Sequence, residues 1–525
     1  MAPALDMTVD GTSTNGFGFE TTRIERDGLG ELEIPHDALY GINTARAVAN
    51  FPFTGRTIAT WPEFVRGFAT VKKAAALANV EIGCLSEEQG RAIVMACEDV
   101  GAGLHDAHLV VDLLEGSGGT STNMNFNEVI ANAASKAIHR PLGDYTFIHP
   151  NDHVNMCQST NDVVPAALKL GVYEALASAP TALLGLADAF AQKRKEYAST
   201  LRLGRTCLQD AQPMTYGQLF GGYEAVVRRH AEQLATLREG FLTLPLGGTA
   251  IGTGFGSRPG YKPAVYKHLS HLFGFKVKPC TDPFDGMQNM DCCARLSAEL
   301  RNTANSLSKI ATDLITLSSG PGGGIGEVAL PAVQAGSSIM PGKVNPVIPM
   351  GVNQIAFAIT GNDATVAMAC HQGMLEINHF ELVVCDRLFE SIRLLTNGAS
   401  TFRQRCIDGL VVNRDRSYEH ILASSALATV LVPELGYAQV SSIVKSSQAE
   451  GRPFLKVAIE SGHLKEDDLP AILQSSVQVD GGSCATQFDA RAAHDGTVED
   501  ALIEDSMISV NGSHTTVTTE QSDDR

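Results

Sequence analysis

No extended Lys/Arg block, no C-x-x-C pair and only one tryptophan occur in the 525 residues of this chain, and each absence removes a class of function. Charged residues make up 19%, with 40 Lys+Arg against 58 Asp+Glu and a net charge of −18 at pH 7. A chain this acidic, without a basic cluster, has no footprint for nucleic acid or for an anionic membrane surface. Eleven cysteines, an odd number, are scattered apart from adjacent Cys292 and Cys293. That scatter fits neither a disulfide scaffold nor a zinc module, so buried reduced thiols and no metal site are expected. The opening MAPALDMTVDGTSTNG carries an acid and lacks the basic-then-apolar order of a signal peptide. No uninterrupted apolar run reaches the ~18 residues of a membrane span. A cytoplasmic protein is expected. With 44% hydrophobic residues the chain is also too apolar for disorder or low complexity.

What is present is helical period. Thr60-Trp61-Pro62-Glu63 reads as a helix start, a cap-type Thr with Pro in the first turn and an acid beside it. Phe64, Phe68, Val71 and Ala75 follow at helical spacing. Phe220, Tyr223, Val227, His230, Leu234, Leu237 and Phe241 mark one face of a helix of about seven turns. Leu296, Leu300, Leu307 and Leu314 do the same further on. Alternating strand patterns are scarce, so the predicted class is all-α, with long, weakly charged helices packed as a bundle. Their Ala-rich faces suggest burial by partner subunits. Both ends differ. Residues 1–20 are Gly/Thr/Ser-rich, and from about residue 476 the chain gains ten acids, Asp480 to Asp524, against Arg491 and Arg525. A solvated acidic extension is expected there.

Four polar, glycine-containing segments interrupt the helical pattern. They are Gly118 to Asn123, Gln158 to Asp162, Gly204 to Cys207, and Gly336 to Pro346. The first two set small hydroxyls and amides beside a helix start, where side-chain OH and backbone N–H groups bind carboxylate; capping is the plainer reading of each alone. The fourth, with Ser337, Ser338, Lys343 and Asn345 among Pro and Gly, is a loop. A Ser there acts as a base only if N–H groups and an ammonium favour its ionised form. Lys343 and Asn345, two residues apart, suit one carboxylate. Gly320 to Gly326 just upstream suggest a loop that closes over substrate, or a turn. Gly252 to Gly256 lack the preceding strand and following acid of a dinucleotide site.

GSSIMPGKVNP (336–346) resembles the signature loop of the aspartase/fumarase superfamily. GGTSTNMNFNEVIAN (118–132), HPNDHVNMCQSTND (149–162), GRTCLQDAQPMT (204–215) and LPLGGTAIGTGF (244–255) resemble its other blocks, in the family's order. The similarity runs from about Thr22 to Leu473 and is nearest the aspartase branch. The resemblance implies an all-helical, three-domain subunit, with an N-terminal helical domain over 21–157, a central long-helix bundle over 158–405 and a small helical domain over 406–475, flanked by the ends 1–20 and 476–525. It implies a homotetramer with a twenty-helix core, active sites shared by three subunits, and elimination from a substituted succinate to give fumarate without cofactor. By position, Ser337 is the implied base, and Lys343 and Asn345 hold the carboxylate beside the carbon that loses its proton. Thr120, Ser121, Ser159, Thr160, Asn161 and Thr206 line the pocket, and Arg46 in GINTAR binds substrate. His149 and Asn151 belong to a second, peripheral anion site.

Four positions depart from the family's pattern. Cys207 stands where His or Gln is usual, Met350 where its Glu partner is expected, Met156 where Lys is common, and His379 where Val is usual, as a packed helix histidine or an aid to orienting substrate. Losing the Glu takes away a negative charge that favours a cationic group nearby, and hydroxide departure needs a donated proton. Nitrite leaves unaided. The expected reaction is therefore nitrosuccinate to fumarate and nitrite, as in nitrosuccinate lyases, with aspartate ammonia-lyase as the alternative. An inactive scaffold relative is a third reading, disfavoured because a scaffold needs none of Ser337, Lys343 and Asn345.

Overall fold

A computed structural model describes residues 21–477; residues 1–20 and 478–525, with nearly all of the segment read as an acidic tail, lie outside the described residues. Two compact units divide the chain, Met1–Lys465 and Glu466–Arg525. The fold is mostly helical, as expected, with four short two-stranded pairings.

An antiparallel hairpin of β1 (Thr22–Asp27) and β2 (Gly30–Pro35) leads into α1 (Ile42–Asn50). Next come α2 (Pro62–Glu81), α3 (Glu87–Gly101) and α4 (Thr120–Ala137). Proline at the first position and Glu63 in the first turn start α2, but its N-cap is Trp61 without a side-chain cap. Thr60 instead closes a one-turn 3-10 helix, Ile58–Thr60, because the fixed φ of Pro62 suffices to set the first turn. The buried stripe runs as expected through Phe64, Phe68, Val71 and Ala75. Phe68 stacks on Phe126 of α4 at 4.0 Å between ring centroids, and each such buried ring contributes about 2 kcal/mol.

The long helices are α5 (Thr160–Ala175), α6 (Ser178–Glu196), α7 (Tyr216–Glu239), α10 (Asp291–Leu317), α11 (Val347–His371) and α12 (Glu381–Phe402), with the shorter α8 (Tyr261–Phe273) and α9 (Pro283–Gln288) between α7 and α10. Helix α6 packs along α7, α10 along α11 and α11 along α12, while α2 lies on α5. Leu296, Leu300, Leu307 and Leu314 are all buried in α10. On the α7 face Phe220, Tyr223, Val227 and Leu234 are buried, and His230 bonds Glu299 at 2.7 Å and Ser306 at 2.9 Å. Phe241 falls in the one-turn helix that follows. The stretch Thr160–Glu196 is long and apolar enough to cross a membrane, yet α5 is buried by its neighbours from Asp162 to Leu168.

Helix α11 is apolar on a face that nothing among the described residues covers. Met350, Gln354, Phe357, Gly361, Ala364 and Met368 recur every three or four residues and all are exposed. After α12 come α13 (Arg414–Ala423), α14 (Ala428–Leu435), α15 (Tyr437–Glu450) and α16 (Phe454–Glu460). The second unit's described part holds α17 (Leu469–Val477).

Candidate active site

The first two polar segments are drawn together at the starts of α4 and α5. Gly119 takes the N-cap position of α4 with φ 86°, and a Cβ there would lie 3.0 Å from Val164 Cγ2, so only glycine lets the two helix starts approach this closely. No side chain caps α4 at Gly119, although the Ser121 N–H finds Ser117 Oγ at 2.8 Å. Helix α5 carries a capping box in which Ser159 accepts from the first turn and Asp162 Oδ1 accepts the Ser159 N–H at 2.9 Å. Asp162 Oδ2 also takes the Gly247 and Thr249 N–H groups, each at 3.0 Å, and Asn161 Nδ2 donates to the Ala250 carbonyl at 2.8 Å. Thr160 Oγ1 accepts from Asn123 Nδ2 at 3.1 Å. Thr120, Ser121, Ser159, Thr160 and Asn161 thus share one polar face above two helix N-termini, where the dipoles favour an anion. His379 is in the loop before α12, not in a helix; its Cβ sits beside Gly118 and its ring lies 4.1 Å from Phe380.

The signature loop is folded on itself. The Gly336 N–H donates to the Lys343 carbonyl at 2.9 Å, and Asn345 Nδ2 donates to the Gly336 carbonyl at 2.5 Å. A Cβ at Gly336 would collide with this crossing, which explains the glycine. Ser337 Oγ receives the N–H groups of Ile339 at 3.2 Å and Met340 at 2.9 Å, two donors that stabilise negative charge on that oxygen. The loop encloses an open cavity of about 460 Å³ bordered by Ser337, Met340 and Lys343. Its tip is apolar and bare, with Ile339 84% exposed. Gly320 to Gly326 form a tight turn closed by the Gly326 N–H on the Ser319 carbonyl at 2.9 Å.

The third segment, Gly204 to Cys207, lies at the end of a hairpin of β3 (Leu201–Thr206) and β4 (Gln209–Thr215). Cys207 and Leu208 make its two-residue turn, with φ 52° and 62°, so Thr206 and Cys207 stand exposed at the tip. A residue missed in the sequence anchors this hairpin. Glu327, fully buried, accepts from Arg205 Nη2 at 2.6 Å, Tyr216 OH at 2.9 Å and His420 Nδ1 at 2.7 Å. Burial works to raise its pKa, but the Arg205 and His420 contacts overcome this and hold the carboxyl below its usual value.

Glu128 of α4 accepts the N–H groups of Gly41 at 2.7 Å and Asn43 at 3.0 Å and fastens α1, on which Arg46 sits. Arg46 is held by Asp27 through two hydrogen bonds of 2.8 and 2.9 Å, so in this chain its guanidinium already has a carboxylate. His149 Nδ1 accepts from the Asn151 and Asp152 N–H groups, capping a short turn. The Met156 carbonyl accepts from Asn79 and Gln158, and Met350 is exposed in the first turn of α11. Two further interior residues escaped the sequence reading, Lys72 and Asn155, which bond at 2.9 Å beneath the α4 and α5 starts. Lys72 lies between Val71 and Ala75 on the apolar face of α2, and that position was the signal.

Among the described residues, the side-chain hydrogen bonds of Ser337 and Asn345 all stay within the loop 336–345. The model of a family described as Lyase matches residues 30–361, and that of the fumarase C C-terminus matches 427–476. Aspartate ammonia-lyase of Helicobacter pylori is 42% identical over 452 residues, covering 86% of this chain and 97% of that protein. The enzyme of the same name from Pseudomonas aeruginosa is 44% identical, covering 86% and 96%. A cobalt-bound fumarate lyase:delta crystallin from Brucella melitensis superposes with TM-score 0.84 at 44% identity, covering 87% of this chain and 99% of that one. A class II fumarase from Schistosoma mansoni gives 0.82 at 32%, covering 86% and 98%.

Proposed function

This chain belongs to the aspartase/fumarase superfamily and is a carbon–nitrogen lyase; we propose that it converts L-aspartate to fumarate and ammonia. The observation that carries the substrate is the set of aspartate ammonia-lyases at 40% to 44% identity across 86% of the chain. The same relatives overturn the expectation of nitrite as leaving group. That expectation rested on the residue types at Met350 and Cys207 alone, which the relatives outweigh.

In the proposed reaction the ionised Ser337 oxygen takes the Cβ proton and becomes a hydroxyl. The pair of electrons left on carbon delocalises into the adjacent carboxylate as a dianion, then forms the double bond as the C–N bond to the substrate's ammonium breaks and neutral ammonia leaves with the bonding pair. Lys343, Asn345 and the loop N–H groups stabilise the dianion, each donor contributing about 3 kcal/mol. Thr120, Ser121, Ser159, Thr160, Asn161 and Thr206 bind the diacid; Arg46 joins them only by leaving Asp27. The two N–H groups on Ser337 Oγ support the choice of base. The enzyme works without cofactor, in the cytoplasm, as three-domain subunits in a homotetramer whose sites take loops from three chains. The exposed stripe Met350, Phe357 and Met368 along α11, and the bare loop tip Ile339, favour that assembly. L-Aspartate, malate and nitrosuccinate, offered separately with fumarate absorbance recorded, test the reading. Fumarate with equimolar ammonia is expected from aspartate; fumarate from malate or nitrosuccinate alone would refute it.

A further inference from the structure

Lys72 is an ammonium with no exposed surface; among the described residues no carboxylate lies within salt-bridge distance, and buried Asp162 offsets its charge only in part. Burying a cation this way costs several kcal/mol that a methionine of similar length would not, so stability does not account for it. Its one hydrogen bond, 2.9 Å to Asn155 Oδ1, is charge-assisted and the strongest contact that oxygen makes. Asn123 Nδ2 at 3.1 Å and Asn127 Nδ2 at 3.3 Å, both from α4, converge on the same oxygen. Asn123 Nδ2 in turn reaches Thr160 Oγ1 at 3.1 Å at the start of α5. Asn123 Oδ1 and Asn127 Oδ1 are buried with no partner among the described residues, so the amides are oriented through their nitrogens, which share Asn155 Oδ1. The ammonium therefore sits under the junction of two helix N-termini and holds both through a single amide.

We propose that Lys72 is a positioning residue for the dicarboxylate face: its ammonium fixes Asn155, which sets Asn123 and, through it, Thr160, while its charge favours an anion above. The inference rests on the reading that the starts of α4 and α5 bind substrate, and it concerns binding rather than the proton transfer. Burial presses the Lys72 pKa down to about 7 against the pull of Asp162 and Cys97, which marks how little the interior compensates the charge.

The test compares Lys72→Met, Asn155→Leu and the double variant in the full-length protein, by steady-state kinetics on L-aspartate and calorimetric titration with succinate. Each single variant is expected to raise KM and the succinate Kd by about tenfold or more, with kcat changed less than about threefold. The double variant should lose no more than either single one, because both act through the same oxygen. Lys72→Arg should recover part of the succinate affinity. Unchanged succinate affinity in folded single variants would overturn the proposal, and so would losses that multiply in the double variant. Should Lys72→Met fail to fold, Asn155→Leu decides alone. Succinate carries no leaving group, so a Lys72-dependent Kd in a protein inert toward aspartate sinks the aspartate reading and leaves this one standing.

Discussion

The carboxylate face at α4 and α5 and the loop that bears Ser337 are both polar and both rich in small residues, yet they are built in opposite ways. The first is held from beneath: Asp162 accepts three backbone N–H groups, and Lys72, Asn155 and Asn123 tie the two helix starts. The second is held mainly by its own bonds, with Gly336 bonded to Lys343 and Asn345, and its apolar tip at Ile339 is exposed among the described residues. A pre-formed half and a loop held by its own hydrogen bonds fit the proposal that the site is finished by another copy of the molecule. Positioning is supplied by the rigid half and reactivity by the half that must dock.

The sharpest way to break this comparison is at the loop. Ser337→Ala should lower kcat about 10³–10⁴-fold while leaving the melting temperature and elution volume unchanged; a loss of tetramer instead of turnover would make Ser337 structural. Phe357→Glu on the bare face of α11 should convert tetramer to smaller species by size-exclusion chromatography and lose activity with it, since a charge would be buried unpaired. Interior changes should do the reverse of Ser337→Ala. Glu327→Gln removes the carboxylate that Arg205 and His420 face, and should cost about 3 kcal/mol of stability in denaturant unfolding. A further effect is a pH slope. The Lys72 pKa falls from 10.5 to about 7 in the folded chain, so its buried charge costs stability fully below pH 7, and the cost is relieved as pH rises toward 10.5. Thermal melts of wild type should therefore gain on those of Lys72→Met across that window; parallel curves would show an unperturbed lysine.

The long helices were legible because apolar spacing alone specifies a buried stripe, as Leu296 to Leu314 illustrate. Helix boundaries were less so: at Thr60 a plausible hydroxyl cap was bypassed by Pro62. The hairpins hid because β1, β2, β3 and β4 are mostly polar or half-buried, and because Cys207 and Leu208 take left-handed turn positions without glycine or asparagine. Ser337, Lys343, Asn345, Thr160 and Thr120 were proposed as site residues from loop chemistry and motif order. Glu327, Lys72 and Asn155 were not, since their roles arise from partners as distant in sequence as His420 and Asn123. Which substituent leaves was misread because it was inferred from the residue types at Cys207 and Met350 alone, against the aspartate ammonia-lyases that the rest of the chain is similar to.

A mixed-subunit experiment tests the division of the site between chains most directly. Ser337→Ala and Thr160→Ala proteins, each inactive on L-aspartate, are unfolded together in equal amounts and refolded. If the base comes from one subunit and the carboxylate face from another, about a quarter of the sites regain both intact residues and turnover returns. Turnover that stays at the level of the separate variants, in tetramers shown to contain both chains, would mean that each chain builds its site alone.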